Sequence, residues 1–172
     1  MSYDDWEAYW EWESGYYDDY GDYDDDDFSD SKSAKKKNTV VLIDAESVSA
    51  KHCSSIIGQS KSVGEIAEMR YYARQKDEFT KAWKESAKNH GIKPILMYGE
   101  AQPNKIDNKL IKDAKKILED NKSIDVFCIA TRDGDYTELV DYLREHKKKV
   151  VILADKQTSQ RLKSSASDVK GI

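Results

Sequence analysis

The chain has 172 residues, which is enough for one ordinary domain with a sizeable apolar core. Its net charge of −5 is unevenly distributed: residues 1–31 contain 13 Asp and Glu and no Lys or Arg, and subtracting their −13 leaves +8 for residues 32–172. No run approaches the roughly 18 apolar residues of a membrane span, and the acidic N-terminus lacks the basic region of a secretory signal. These features exclude membrane and secreted classes, so we predict a cytoplasmic protein in which Cys53 and Cys128 stay reduced.

Residues 1–31 alternate acids with aromatic rings and lack aliphatic partners, which predicts a disordered tail. Two interpretations stay open: a solubilising tail, or a segment in which carboxylates imitate phosphates and rings imitate bases, or which binds a protein partner. Residues 32–38 form a basic linker, and the folded domain is predicted over residues 39–172. The basic charge of this domain favours nucleic acid as a partner, although a lysine-rich solvated surface is the simpler alternative.

Apolar runs rich in β-branched or aromatic residues alternate with amphipathic segments through the rest of the chain. Strands are predicted over residues 40–43, 68–73, 95–98, 124–129 and 150–154. Helices are predicted before residue 58 and over residues 77–90, 107–121, 136–143 and 158–165. This alternation predicts an α/β fold, a three-layer α/β/α sandwich in which right-handed crossovers join the strands of a parallel five-stranded sheet. If the strands follow the doubly wound order 3-2-1-4-5, the first and fourth strands are neighbours.

Acidic residues occur where strands or helices of this fold end or begin. Asp44 ends the first strand, Asp107 begins a helix, and Asp133 and Asp135 follow the fourth strand. Each has a simpler interpretation as a cap or turn residue, but all four are predicted at the same end of the sheet. Repulsion among them favours a hard, oxygen-preferring cation, Mg²⁺ or Mn²⁺.

Several segments resemble the motifs of the NYN domain family, and in particular the LabA-like branch of the PIN-like metal-dependent ribonucleases. The matching segments follow the family's order over residues 39–170 and lie at 43–49 (IDAESVS), 104–113, 129–140 (IATRDGDYTELV), 149–154 and 158–168. The resemblance implies a PIN-like sandwich and an endoribonuclease that hydrolyses RNA phosphodiesters with a metal-activated water.

The resemblance also implies roles for individual residues. It assigns Asp44, Asp107, Asp133 and Asp135 as catalytic and metal-binding acids, with Thr131 as a supporting hydroxyl and Asp113 as a further acid. Two positions depart from the family pattern. Ser47 stands where the family usually has Asn, which weakens the expected positioning of metal or water, and Tyr136 stands in place of Phe, which we interpret as a mild change.

Cations near the strand ends are candidates for binding the RNA backbone. Arg132, inside the acidic turn, is the first candidate; weaker ones, each with an alternative as an ordinary surface charge, are Arg74, Lys105, Lys156 and Arg161. The histidines show no metal-ligand spacing, and motifs for a Ser or Cys nucleophile or a phosphate loop are absent from the sequence. Two rival functions stay open: a non-catalytic RNA-binding module, and a regulatory protein whose tail imitates nucleic acid.

Overall fold

All strands of the sheet run parallel, in the order β3-β2-β1-β4-β5-β6. The computed structural model describes residues 36–75, 78–98 and 105–172, and within it residues 37–172 form one unit. The predicted disordered tail and most of the predicted linker lie outside the described residues.

The strands extend the predicted runs by a few residues. They are β1 Asn38–Asp44, β2 Glu65–Arg74, β3 Lys93–Met97, β4 Val126–Ala130, β5 Lys149–Ala154 and β6 Asp168–Gly171. The predicted order 3-2-1-4-5 is confirmed, but the prediction of five strands is wrong because β6 adds a sixth beside β5. β6 is short, half-buried along its whole length and contains two charged residues, so it lacks the apolar run that marks an interior strand.

Helices alternate with the strands along the chain. They are α1 Cys53–Val63, α2 Glu78–Lys88, α3 Lys105–Asp120, α4 Thr137–Glu145 and α5 Gln160–Ser165, with one-turn 3-10 helices at Ala50–His52 and Gly134–Tyr136. Among the helices of the described residues, none combines the length and apolar character that crossing a bilayer requires.

Side chains alternate between the two faces of the sheet, and helices cover both faces. Val41 and Ile43 of β1 belong to a core with Ile56 of α1 and Trp83 of α2. The intervening residues of β1 are equally buried on the other face, where α3 packs on β1 and β2 and α4 packs on β5. The three-layer α/β/α architecture is therefore confirmed. Both cysteines are buried free thiols, as expected.

The carboxyl ends of all strands meet at one edge of the parallel sheet. β1 has β2 on one side and β4 on the other. The order of the strands therefore reverses its direction between β1 and β4. Ile43 pairs with Ala130 in the register of these two strands, which puts the next residues, Asp44 and Thr131, side by side at this edge. A crevice at such a switch point is the usual ligand site of an open α/β sheet.

Candidate metal centre

Three carboxylates converge at the crevice between β1 and β4. Asp107 comes from the first turn of α3, and Asp133 and Asp135 come from the turn after β4. One carboxylate oxygen from each lies within 4.8 Å of the others. Asp107 and Asp133 are half-buried and Asp135 is exposed, so the group opens to solvent on one side. We refer to these residues as the three-carboxylate group.

The local fold of the turn places Asp133 and Asp135. Asp133 caps the 3-10 helix, and its Oδ1 accepts the backbone N–H of Asp135 at 2.9 Å. Gly134 sits so close to α5 that an added Cβ would lie 2.8 Å from the Ser159 hydroxyl. The Gly134 carbonyl accepts a hydrogen bond of 2.8 Å from Arg161 Nη2. Close packing against α5 therefore fixes the turn that presents both acids.

Asp44 lies beside the three-carboxylate group and is almost completely buried, at 3% exposure. Its Oδ2 accepts hydrogen bonds of 2.9 Å from the hydroxyls of Ser47 and Thr131. Thr131 Oγ1 in turn accepts the backbone N–H of Asp133 at 3.2 Å, so one hydroxyl connects Asp44 to the acidic turn. Among the described residues Asp44 is not within the 4.8 Å grouping, and the supporting role of Thr131 stays a prediction.

Burial and mutual repulsion disfavour the ionised forms of two of these acids. Burial, followed by the charges of Asp44 and Asp133, raises the pKa of Asp107 to about 6, against a hydrogen bond from Tyr136 that lowers it. Burial also raises the pKa of Asp44, opposed by the hydroxyls of Ser47 and Thr131. A bound cation would offset this repulsion, and a set of hard carboxylate oxygens open to water fits Mg²⁺ or Mn²⁺.

Tyr136 makes a contact that the sequence interpretation missed. Its side chain is fully buried and its hydroxyl donates to Asp107 Oδ1 at 2.9 Å. Burial and the charges of Asp44 and Asp107 raise its pKa above the ordinary value, so the phenol stays protonated as a donor at neutral pH. The replacement of Phe by Tyr therefore adds a hydrogen bond to a member of the three-carboxylate group.

Arg132 lies at the same edge, and its guanidinium contacts residues of the turn after β5. Its Nε and Nη2 contact Asp155 Oδ2 at 2.6 Å each, and its Nη1 donates to Gln157 Oε1 at 2.9 Å. Burial alone would raise the pKa of Asp155, but the hydrogen bonds and charge of Arg132, with help from His52, lower it overall. Asp155 was missed by sequence reasoning, although it follows β5 as directly as Asp44 ends β1.

The other predicted cations are spread around this edge. Arg74, at the end of β2, contacts Glu46 at 3.0 Å, and Lys156 is exposed in the turn after β5. Arg161 on α5 contacts the carbonyl of Gly134, as described above. Lys105 begins α3, but its side chain lies outside what the structure describes.

Asp113, predicted as a further acid of the site, lies apart from the three-carboxylate group. Its carboxylate accepts hydrogen bonds of 2.9 Å from Tyr72 and from Lys109, and Arg70 lies 3.6 Å away. Tyr72 and Arg70 belong to β2 and so join it to α3, whereas Lys109 lies on α3 itself. The structure therefore brings Asp107, Asp133 and Asp135 together, places Asp44 beside them, and leaves Asp113 in a separate network.

The chain is thus an α/β protein whose parallel sheet carries an acidic cluster at its switch point. The sequence model of the NYN domain matches residues 38–170, so the chain belongs to the NYN domain family. NYN domains are generally nuclease-like, and PIN-like domains usually use divalent metals, with which the acidic cluster is compatible. Membership of the LabA-like branch stays a prediction.

One solved structure adds support for the fold. A protein of unknown function from Vibrio parahaemolyticus is similar, with a TM-score of 0.66 and 21% sequence identity over 83% of this chain and 96% of that chain. At this identity the similarity concerns the fold alone. No curated protein matches the chain.

Proposed function

We propose that the chain is a cytoplasmic metal-dependent endoribonuclease that hydrolyses RNA phosphodiesters. In this proposal residues 39–172 are the nuclease domain, residues 32–38 a linker and residues 1–31 an acidic tail. The observation that carries the proposal is the meeting of three carboxylate oxygens within 4.8 Å at the switch point of an NYN domain. Together with the basic charge of residues 32–172, this arrangement suits a polyanionic substrate whose phosphate is held against a cation.

The acids have two tasks in the proposed reaction. Asp107, Asp133 and Asp135 hold Mg²⁺ or Mn²⁺, and Asp44 adds negative charge beside them while its own hydroxyl partners keep it in place. When bound, the cation lowers the pKa of a coordinated water and offsets negative charge on the phosphate. The chain's part is to orient the phosphate and to hold the carboxylates around the cation, whose charge favours their ionised forms.

Cations at the same edge are proposed to hold the RNA backbone. Arg132 presents its guanidinium next to the acidic turn, oriented by Asp155. Arg74, Lys105, Lys156 and Arg161 are proposed as weaker phosphate contacts. Such contacts fix the register of the strand without reading its sequence.

RNA cleavage by the full chain tests the proposal. We expect Mn²⁺ to support cleavage of a labelled RNA, EDTA to abolish it, and Asp133→Asn to lower the rate by at least about 100-fold, because a metal-holding charge is lost. Asp125→Asn is the matched control, since Asp125 also accepts a backbone N–H but lies at the opposite edge of the sheet. Cleavage that persists in EDTA and in Asp133→Asn would contradict the proposal.

A non-catalytic RNA-binding module is the second candidate, and the setting of Ser47 favours it. The Ser47 hydroxyl donates to Asp44, lies 3.2 Å from Thr131 and accepts the backbone N–H of Arg132. The hydroxyl therefore makes its hydrogen bonds within the protein, and Ser47 supplies no amide where the family usually has Asn. RNA binding without metal-dependent cleavage in the same assay would support this candidate over the nuclease.

A further inference from the structure

We propose that Tyr136 is a positioning residue of the metal centre, whose hydroxyl holds Asp107 in the orientation that binds the cation. This inference rests on the proposed function, because it assigns a residue to the same site. It concerns an atom that the family pattern, with Phe at this position, does not supply.

The geometry gives the hydroxyl a linking role. Asp133 and Asp135 belong to one turn, whereas Asp107 is brought in by α3 from a separate part of the chain. Tyr136 lies in the 3-10 helix of that turn and donates to Asp107 Oδ1 at 2.9 Å. This contact is a direct hydrogen bond between the two segments whose carboxylates must meet to bind one cation.

The hydrogen bond restricts a motion that matters for binding. A carboxylate on a helix surface rotates about its Cβ–Cγ bond, and a cation that needs one oxygen from each acid must stop that rotation. A fully buried phenol in a packed core already has a fixed position, so its hydroxyl stops the rotation before the cation arrives. A partner that orients a ligand in this way commonly changes metal affinity when it is removed.

Any buried tyrosine hydroxyl needs a hydrogen-bond partner, whether or not it has a role in metal binding. The chain contains a second buried tyrosine that allows this simpler explanation to be tested. Tyr72 is fully buried, and its hydroxyl donates to Asp113 at 2.9 Å. Asp113 and Asp107 lie on the same helix, but only Asp107 belongs to the three-carboxylate group. Comparing the two tyrosines separates a role in metal binding from the general cost of losing a buried hydrogen bond between a phenol and a carboxylate.

The experiment is a Mn²⁺ titration of the full chain, followed by electron paramagnetic resonance of the free ion, for the unaltered protein, Tyr136→Phe and Tyr72→Phe. We expect Tyr136→Phe to raise the Kd for Mn²⁺ roughly ten- to hundred-fold and Tyr72→Phe to leave it unchanged. Thermal unfolding of the same samples identifies a temperature at which all three proteins are folded, and the titration is carried out there. Each variant loses one buried hydrogen bond, so both are expected to melt at somewhat lower temperature.

Two outcomes would overturn the inference, and they are distinguishable. Equal Mn²⁺ affinity in Tyr136→Phe and Tyr72→Phe would reduce Tyr136 to a structural residue and leave the proposed function intact. No Mn²⁺ binding by the unaltered protein would overturn the proposed function and the inference with it.

Discussion

Burial and the negative charges of Asp44 and Asp133 make the Asp107 carboxyl group harder to ionise. Burial and this repulsion raise the pKa of Asp107 to about 6 from an ordinary value of 3.8. The folded protein therefore binds a proton at Asp107 more readily than the unfolded chain does. By linkage, this residue lowers the stability of the metal-free protein as pH rises from about 4 to about 6. The site that favours a cation thus costs stability without one.

We predict that Asp133→Asn stabilises the metal-free protein while removing a metal-binding charge. Asn keeps the side-chain oxygen that caps the 3-10 helix and removes the repulsion of Asp107. The free energy of unfolding at pH 7 should rise by about 1 kcal/mol, after allowance for solvent screening, and the gain should vanish at pH 4. Urea unfolding in EDTA measures it.

The control for this prediction is Asp125→Asn, which removes a carboxylate that accepts one backbone N–H at 3.0 Å but lies away from the three-carboxylate group. It should give no gain at either pH. A loss of stability in Asp133→Asn at pH 7 would contradict the interpretation that repulsion dominates at this position.

We predict that Arg132 has two separable roles, one in stability and one in RNA binding. Arg132→Gln leaves the 8%-exposed Asp155 without its guanidinium partner and should cost about 2 kcal/mol of unfolding free energy. The double variant Arg132→Gln with Asp155→Asn removes the unpaired charge and should regain most of that stability. Both should bind RNA several-fold more weakly. Normal RNA affinity in the stable double variant would show that Arg132 only joins the turns after β4 and β5.

At the scale of elements, the junction between α1 and β2 depends on a glycine without a side chain. A Cβ on Gly64 would overlap the Lys37 carbonyl oxygen and lie 2.7 Å from Thr39 Oγ1. The Lys37 carbonyl is itself fixed, because it accepts the Glu65 N–H at 2.8 Å. The close approach of α1 to the start of β1 therefore requires glycine at this junction.

We predict opposite effects for alanine at the two glycines of this region. Gly64→Ala should lower the free energy of unfolding by about 1–3 kcal/mol, because a backbone atom must move to admit the methyl group. Gly58→Ala, inside α1 with open space around its Cα, should raise it by about 0.5–1 kcal/mol through helix propensity. Chemical denaturation of both variants measures the pair, and equal effects would contradict this account of Gly64.

Most elements were predictable because their interior strands are continuous apolar runs. β1, β4 and β5 are buried along nearly their whole length, so burial on both faces marks them in the sequence. β6 carries no such mark, since an edge strand is stabilised by its ladder with β5 rather than by a buried run of its own. The order of the first five strands is that of a doubly wound sheet, whereas the number of strands depends on this weak edge.

The candidate site, like the fold, contains features that the sequence predicts and features that it does not. Asp107, Asp133 and Asp135 were predictable because strand ends of a parallel sheet share an edge, and the structure brings them together. The hydrogen bond of Tyr136 was not, because a sequence gives the type of side chain but not which carboxylate lies 2.9 Å from its hydroxyl. Asp113 shows the converse, since α3 turns its carboxylate towards Tyr72 of β2.

At the scale of the whole molecule, charge is divided between two segments of opposite sign. Residues 1–31 carry −13 and residues 32–172 carry +8. The acidic site is therefore set in a basic body, so that body attracts a polyanion over a distance of about a Debye length. We expect the strongly acidic segment on the same chain to compete for that attraction through its charge.

We predict that deleting residues 1–31, which changes the net charge from −5 to +8, raises RNA affinity at low salt. The gain should be about ten-fold or more near 20 mM salt and should shrink near 300 mM, because added ions screen both the tail and the phosphates. Fluorescence anisotropy with a labelled RNA measures both conditions.

A variant that keeps all the acids of the tail but replaces Trp6, Trp10 and Trp12 by Ala distinguishes charge from mimicry. If the tail acts by charge alone, this variant should bind RNA as the unaltered chain does. If the aromatic rings imitate stacked bases, it should bind more tightly, because the tail then loses stacking contacts with the RNA-binding surface. Unchanged RNA affinity on deletion of residues 1–31 at low salt would remove both ideas, because neither charge nor stacking could then be competing with RNA.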